Sequence, residues 1–192
     1  MGRWVDAPQP RRDPSVEQRA AASVAPCVFA RTRYNRRMPK TPFSASRALS
    51  LRRSRIHGRG VYAREAIPAG TRIVEYRGER ITMAEAEARY PEDAGTAYHT
   101  FLFAVDDEVV IDAAYRGNIA RWINHSCDPN CEAVDEDGRI FIESIRDIAP
   151  GEELAYDYHF ILEVRHTPAM KRRYPCICGA PNCRGTMLAK KR

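Results

Sequence analysis

Asn124-His125-Ser126-Cys127-Asp128-Pro129-Asn130-Cys131 packs amides, an imidazole, a hydroxyl and two thiols into eight residues, directly after the apolar pair Trp122-Ile123. Pro129 and Asn130 break any helix or central strand at this point. Polar groups this dense beside buried-type residues are costly unless something binds them. Two chemistries suit such a corner: cysteines supplying part of a metal site, or a polar floor for a small molecule.

Three further groups could share that chemistry. Cys176, Cys178 and Cys183 follow a Cys-x-Cys-x4-Cys pattern on a loop that also holds Gly179 and Pro181. Three thiolates so placed suit tetrahedral zinc, with a fourth ligand still to come from Cys27, Cys127, Cys131 or a histidine. In Gly151-Glu152-Glu153-Leu154-Ala155-Tyr156-Asp157-Tyr158, a strand would put Tyr156 and Tyr158 on one face and Asp157 on the other. Two tyrosines on one face can line a slot for an aliphatic amine, because aromatic faces favour ammonium groups. Finally, Gly58-Arg59-Gly60-Val61-Tyr62-Ala63 fits Gly-x-Gly-x-x-Ala. A dinucleotide fingerprint needs a buried strand before it and a helix after it. Arg52-Arg53-Ser54-Arg55 precedes and Pro68-Ala69-Gly70 soon follows, so the glycines read instead as a tight turn or a close backbone approach.

The elements expected to carry these groups are short. Gly60–Ala63, Arg72–Tyr76, Thr100–Val105, Val109–Asp112, Arg139–Ser144 and Glu153–Tyr156 read as strands. Ile67-Pro68-Ala69-Gly70 and Asp135-Glu136-Asp137-Gly138 read as turns, the second of hairpin type. Thr82 can cap a helix through Met83–Ala88 that must end before Pro91. This is a mainly β (α+β) domain with minor helices and no internal repeat. Residues 1–48, rich in Pro, Arg, Ala and Ser, read as a disordered basic tail.

A hydrophobic content of 44% over 192 residues suffices for one core. No run approaches the about 18 apolar residues that span a bilayer, so no membrane role is expected. The N-terminus lacks a signal-peptide core, which points to an intracellular chain whose thiols stay reduced and serve metal or chemistry. The net charge of +6 is uneven. Residues 1–50 hold ten Lys/Arg against three Asp/Glu, residues 101–163 four against fifteen, and residues 164–192 eight against none. The acidic middle suits a lysine-containing basic protein or peptide, and the basic ends suit a secondary contact with nucleic acid or simply solubility.

Ile56-His57-Gly58-Arg59-Gly60-Val61, Asn124-His125-Ser126-Cys127-x-Pro129-Asn130, Glu153-Leu154-x-Tyr156-Asp157-Tyr158 and the closing Cys176, Cys178 and Cys183 occur in the order seen in SET-domain protein-lysine N-methyltransferases. The resemblance covers roughly residues 49–188. It implies a SET domain over 49–163, built of small β-sheets (a β-clip) with a C-terminal pseudoknot, and a zinc-binding post-SET segment over 164–192. It implies S-adenosylmethionine as donor, bordered by His57, Gly58, Arg59, Gly60 and Phe101, with Asn124 and His125 holding its amino-acid and adenine ends. Leu188 is a candidate contact to the adenine. Tyr158 matches the catalytic tyrosine, also beside the donor, and Tyr156 matches the residue that limits the number of methyl groups, which suggests mainly monomethylation. Cys127, Cys176, Cys178 and Cys183 match the ligands of a structural zinc, leaving Cys131 a bystander.

Two departures stand out. Phe101-Leu102-Phe103 occupies a place where many members have Tyr-x-Phe, so a hydroxyl is missing that Tyr98 or water would replace. No cysteine-rich module precedes the domain, so the chain resembles a minimal, bacterial-type unit. It would act in the cytoplasm or nucleoid on a histone-like or ribosomal target if bacterial, and on chromatin if eukaryotic. The alternatives are a non-catalytic SET-like module that binds a basic partner, and a zinc protein that binds nucleic acid.

Overall fold

The computed structural model describes residues 48–91, 101–161 and 165–189. Residues 1–47 of the expected tail, Thr100 and Tyr98 lie outside them. Ala48 and Leu49, at the start of the described residues, are buried. Among the described residues no helix is long and apolar enough to cross a membrane.

The described strands form three small sheets. β1 (Leu49–Arg53) pairs antiparallel with β2 (Arg59–Ala63), Leu49 opposite Ala63 and Arg53 opposite Arg59. β4 (Glu79–Thr82), β5 (Leu102–Ala104) and β6 (Val109–Asp112) lie in the order β4-β6-β5. β3 (Arg72–Glu75), β7 (Asn124–His125), β8 (Cys131–Glu136), β9 (Arg139–Ser144) and β10 (Ala155–Tyr156) lie in the order β3-β9-β8-β10-β7. Among the described residues there are three short helical elements: α1 (Met83–Arg89), a 3₁₀ turn (Ile119–Trp122) and α2 (Pro168–Arg173).

Local chemistry accounts for the ends of these elements. Thr82 caps α1, its Oγ1 accepting from Glu85 N–H at 3.1 Å. Pro91 then bars helical geometry at Tyr90, which sits at φ −130°, ψ 63°. The β8–β9 hairpin turns on Asp137 (φ 51°) and Gly138 (φ 76°), the left-handed pair that a two-residue turn of this hand requires. Asp112, wholly buried in β6, is paired by Arg89 (3.0 Å) and by the Tyr90 hydroxyl (3.0 Å), which offsets the cost of burying its charge.

Two differences from the expected elements have a physical cause. β1 was not anticipated, because Leu-Ser-Leu-Arg-Arg is exposed over most of its length and carries no alternation to read. Glu153 and Leu154 were expected within a strand that reaches Tyr156, yet only Ala155–Tyr156 pair as β10. Glu153 makes an isolated bridge to Tyr62, and Leu154 N–H donates to Val61.

β10 is what makes the fold a pseudoknot. It lies parallel to β7, Ala155 opposite Asn124 and Tyr156 opposite His125, while Tyr156 also pairs with Cys131 of β8. The chain from β7 to β8 therefore arches over β10 through Ser126–Asn130. Buried Asn130 secures the arch, its Nδ2 donating to Glu153 O (2.8 Å) and its Oδ1 accepting from Ala155 N–H (2.9 Å). The main core surrounds this thread with Ile123, Leu154, Tyr156, Phe103 and Ile142, each fully buried Ile, Leu or Phe being worth about 1.5–3 kcal/mol.

Candidate active site

The threading brings three of the four sequence motifs to one corner. Asn124 projects from β7 toward the turn between β1 and β2. Its Nδ2 lies 3.3 Å from His57 O, 2.9 Å from Arg59 O and 2.8 Å from Glu153 Oε1. His57 and Arg59 thus meet the corner through their carbonyls. The two glycines of this turn are needed for different reasons. Gly58 sits at φ +46°, a conformation that other residues rarely adopt. Gly60 is there for space, since a Cβ would lie 2.1 Å from Glu153 Oε1. Gly60→Ala should therefore displace the Glu153 carboxylate and destabilise the fold by about 1–3 kcal/mol, read as a lower Tm. An unchanged Tm would show that the corner has room to spare.

His125 is used on both ring nitrogens. Nδ1 accepts from Tyr158 N–H at 3.1 Å, and Nε2 lies 3.5 Å from Cys127 Sγ. Burial pushes its pKa down to about 4, against the pull of Asp157, so the ring is neutral with its hydrogen on Nε2. Both ring nitrogens are therefore engaged within the protein.

Tyr156 and Tyr158 share a face as the strand period requires, their ring centroids 4.9 Å apart. Tyr158 also meets His125 (5.3 Å) and Phe160 (5.4 Å), while Tyr156 faces Phe103 at 6.4 Å. The Tyr158 hydroxyl donates to Ile123 O at 2.9 Å. Burial raises its pKa, as it does for Tyr156, so both phenols stay neutral near pH 7. Among the described residues the Tyr156 hydroxyl has no hydrogen-bond partner. Asp157 points the opposite way and takes a bidentate pair from Arg184 at 2.8 and 2.9 Å.

Tyr76 escaped the sequence reading. It is buried, donates its hydroxyl to Phe101 O at 3.0 Å and packs on Phe103 at 5.3 Å. It thereby enters the same aromatic wall as Tyr156 and Tyr158. Its place directly after β3 was the only signal available. The Phe101 ring, lacking a hydroxyl, packs edge-on against Trp122 at 5.0 Å, and the Arg59 guanidinium covers the same indole at 5.4 Å. Phe101 therefore joins the corner through Trp122. The Glu153 carboxylate was missed as well.

The thiols Cys127, Cys176, Cys178 and Cys183 gather with all their sulfurs within 4.8 Å of one another. Cys127 Sγ and Cys176 Sγ are 3.7 Å apart, close to the edge of about 3.8 Å that Zn–S bonds of about 2.3 Å impose on a tetrahedron. Backbone N–H groups of Cys127, Arg184 and Gly185 point at these sulfurs at 3.4–3.5 Å, as suits thiolates. Burial opposes ionisation of Cys178, but the amides of Cys127 and Ala180 bring its pKa down to about 6. The set fits a tetrahedral ion. Cys131 stays apart in the core, where burial pushes its thiol up to about 12.

Leu188 is 1% exposed and belongs to the main core, bridging to Phe160. Any surface it offers a ligand lies in a cavity of about 550 Å³ that it lines with Arg165, Lys171, Arg184 and Thr186.

The sequence of this region is similar to that of known proteins. The SET domain family matches residues 58–159. A histone-lysine N-methyltransferase specific for histone H3 lysine 4 from Saccharomyces cerevisiae is 48% identical over 141 residues, which is 69% of this chain and 12% of that protein. The like-named Neurospora crassa protein is 47% identical over 69% of this chain and 10% of its own length. The histone-lysine N-methyltransferase trithorax of Drosophila virilis is 44% identical over 69% of this chain and 3% of its own. This chain thus spans only a small part of each relative's length, and the family match over residues 58–159 includes the threaded strand. The chain belongs to the SET-domain family.

Proposed function

We propose that the protein transfers a methyl group from S-adenosylmethionine to a lysine side-chain amine of a basic, histone-like protein. The observation that carries this reading is the packed pair Tyr156–Tyr158, which meets His125 at the corner that Asn124 shares with the Gly58–Gly60 turn; the slot for the amine is expected along this pair. The relatives' names make the histone H3 tail the first target to test, and the acidic block over residues 101–163 suits so cationic a segment.

The chemistry asks little of the protein beyond placement. The lysine amine must arrive deprotonated, although it titrates near about 10.4 in water. Removing the amine from water disfavours its charged form by more than the ring faces favour it, so the proton leaves to solvent as the amine enters. Tyr158 is not the base. Its own proton is committed to Ile123 O, which leaves its oxygen lone pairs to face the methyl group through C–H···O contacts. Holding amine, methyl carbon and sulfur in line supplies most of the acceleration.

Tyr156 closes the slot with a neutral hydroxyl that is free among the described residues. A water bound there would fill the space a second methyl group needs, which supports mainly monomethylation. Tyr156→Phe should shift the product toward two and three methyl groups at an undiminished first-step rate, as read by mass spectrometry. An unchanged product from Tyr156→Phe, or mainly trimethylated product from the wild type, would refute this role.

Zinc in the four-sulfur site would be structural, since no position remains for water. It would fix residues 176–188 beside Tyr158. The exposed cations Arg165, Lys171 and Arg172 support an accessory contact with nucleic acid. The deciding experiment incubates the protein with isotope-labelled S-adenosylmethionine and histone H3, then maps the label by mass spectrometry. Label on a lysine is expected. Donor binding with no transfer to histones or to lysate proteins would favour a non-catalytic binding module.

A further inference from the structure

We propose that Glu153 is the positioning residue of the donor corner. Its carboxylate fixes the Asn124 side-chain amide so that Oδ1 faces outward, as acceptor for the α-ammonium group of the methyl donor. The inference rests on the donor reading above and assigns a role to a residue outside it.

Three acceptors, His57 O, Arg59 O and Glu153 Oε1, surround Asn124 Nδ2 at 3.3, 2.9 and 2.8 Å. A flipped amide would turn its oxygen toward three oxygens, so the orientation follows from chemistry rather than from the naming of two atoms. Glu153 supplies the shortest of the three contacts and the only charged one. The carboxylate is itself tethered. Oε1 also accepts from Ser54 Oγ and Oε2 from Tyr62 O–H, both at 2.7 Å. Ser54 follows β1 and Tyr62 lies in β2, so one side chain locks the Gly58–Gly60 turn to β7. The missing Cβ of Gly60 leaves the room it needs.

All three donors to this carboxylate are neutral, and among the described residues no Lys or Arg forms an ion pair with it. Its negative charge is left to the corner, where it favours a cation over an anion. A donor that presents an ammonium group to Asn124 Oδ1 completes the arrangement.

Calorimetry on the full chain tests this with two probes, S-adenosylmethionine and 5′-methylthioadenosine, which lacks the amino-acid end. Glu153→Gln should raise the Kd for S-adenosylmethionine by about tenfold, the loss of one hydrogen bond to a charged group, and leave the Kd for 5′-methylthioadenosine unchanged. Tyr62→Phe, which frees one carboxylate oxygen without touching Asn124, should show the same selectivity to a smaller degree. Equal weakening of both probes would reduce Glu153 to a structural role and overturn the proposal, as would no weakening at all. Asn124→Ala separates the layers. If it binds S-adenosylmethionine like the wild type, the donor reading itself fails. If it loses the donor while Glu153→Gln does not, only the positioning role fails. The double variant should bind no more weakly than Asn124→Ala alone.

Discussion

Tyr158→Phe is expected to lower the rate of methyl transfer by a factor on the order of 100 while leaving the affinity for S-adenosylmethionine nearly intact. The substitution keeps the ring and its contacts with Tyr156, His125 and Phe160 but removes the one oxygen anchored by Ile123 O at 2.9 Å. An electrostatic group aimed at the reacting centre is worth about 100- to 1,000-fold when removed, far more than a ground-state contact of the same kind. The split between rate and affinity is the diagnostic part. Burial already holds the phenol neutral, so the pH profile of the residual activity should keep the wild-type shape. Single-turnover rates and donor titrations across pH check both statements. A profile that loses one limb in the variant would make Tyr158 the base after all.

Cys178→Ser is expected to abolish metal binding, donor binding and activity together. Cys178 lies at the centre of the cluster, its sulfur accepting from Cys127 N–H at 3.5 Å. Structural zinc sites contribute apparent binding energies of about 10–16 kcal/mol, and a three-sulfur remnant forfeits much of that. Beyond the thiols, the far end of residues 176–188 is anchored by buried Thr186 and Leu188, while the loop over 177–183 relies on the cluster. The segment also has a backbone bridge from Pro175 to Thr186, another from Phe160 to Leu188, and the Arg184–Asp157 pair. Elemental analysis, calorimetry and a methylation assay on the same preparation provide the check. Full activity without metal would uncouple the thiol cluster from the donor corner. A chelator should reproduce the losses in the wild type, and added zinc should reverse them there but not in Cys178→Ser.

What could be read in the chain divides by distance. Asn124, His125, Cys127, Tyr156 and Tyr158 announced themselves because their chemistry sits within a few residues of one another, and Cys176, Cys178 and Cys183 for the same reason. The Asp137-Gly138 turn and the Thr82 cap were legible because each obeys a rule only four residues long. Glu153 and Tyr76 were not, because their partners lie elsewhere in the chain. Ser54, Tyr62 and Asn124 come to Glu153 from three different elements, and a lone acidic residue beside Glu152 looks like surface. The loss of a hydroxyl at Phe101 was visible, but its packing on Trp122 was not, since it depends on the 3₁₀ turn over Ile119–Trp122. β8 hid for a simpler reason. Its acidic residues, Glu132, Asp135 and Glu136, mask the apolar alternation of a strand paired on both sides.

The threaded β10 also dictates when the candidate site comes into existence. Apart from the Ser126–Asn130 connection, β7 meets β8 in the sheet only through β10, so the sheet around the arch is incomplete before the thread arrives. A growing chain that has made the Asn124–Cys131 stretch therefore holds its chemistry in pieces until residues 155–156 insert. Long-range pairing of this kind makes assembly slow and late. It also means that opening the corner requires undoing the central sheet, so amides there should exchange with solvent only by near-global unfolding. Neither half of the site can be switched on, or worn away, without the other.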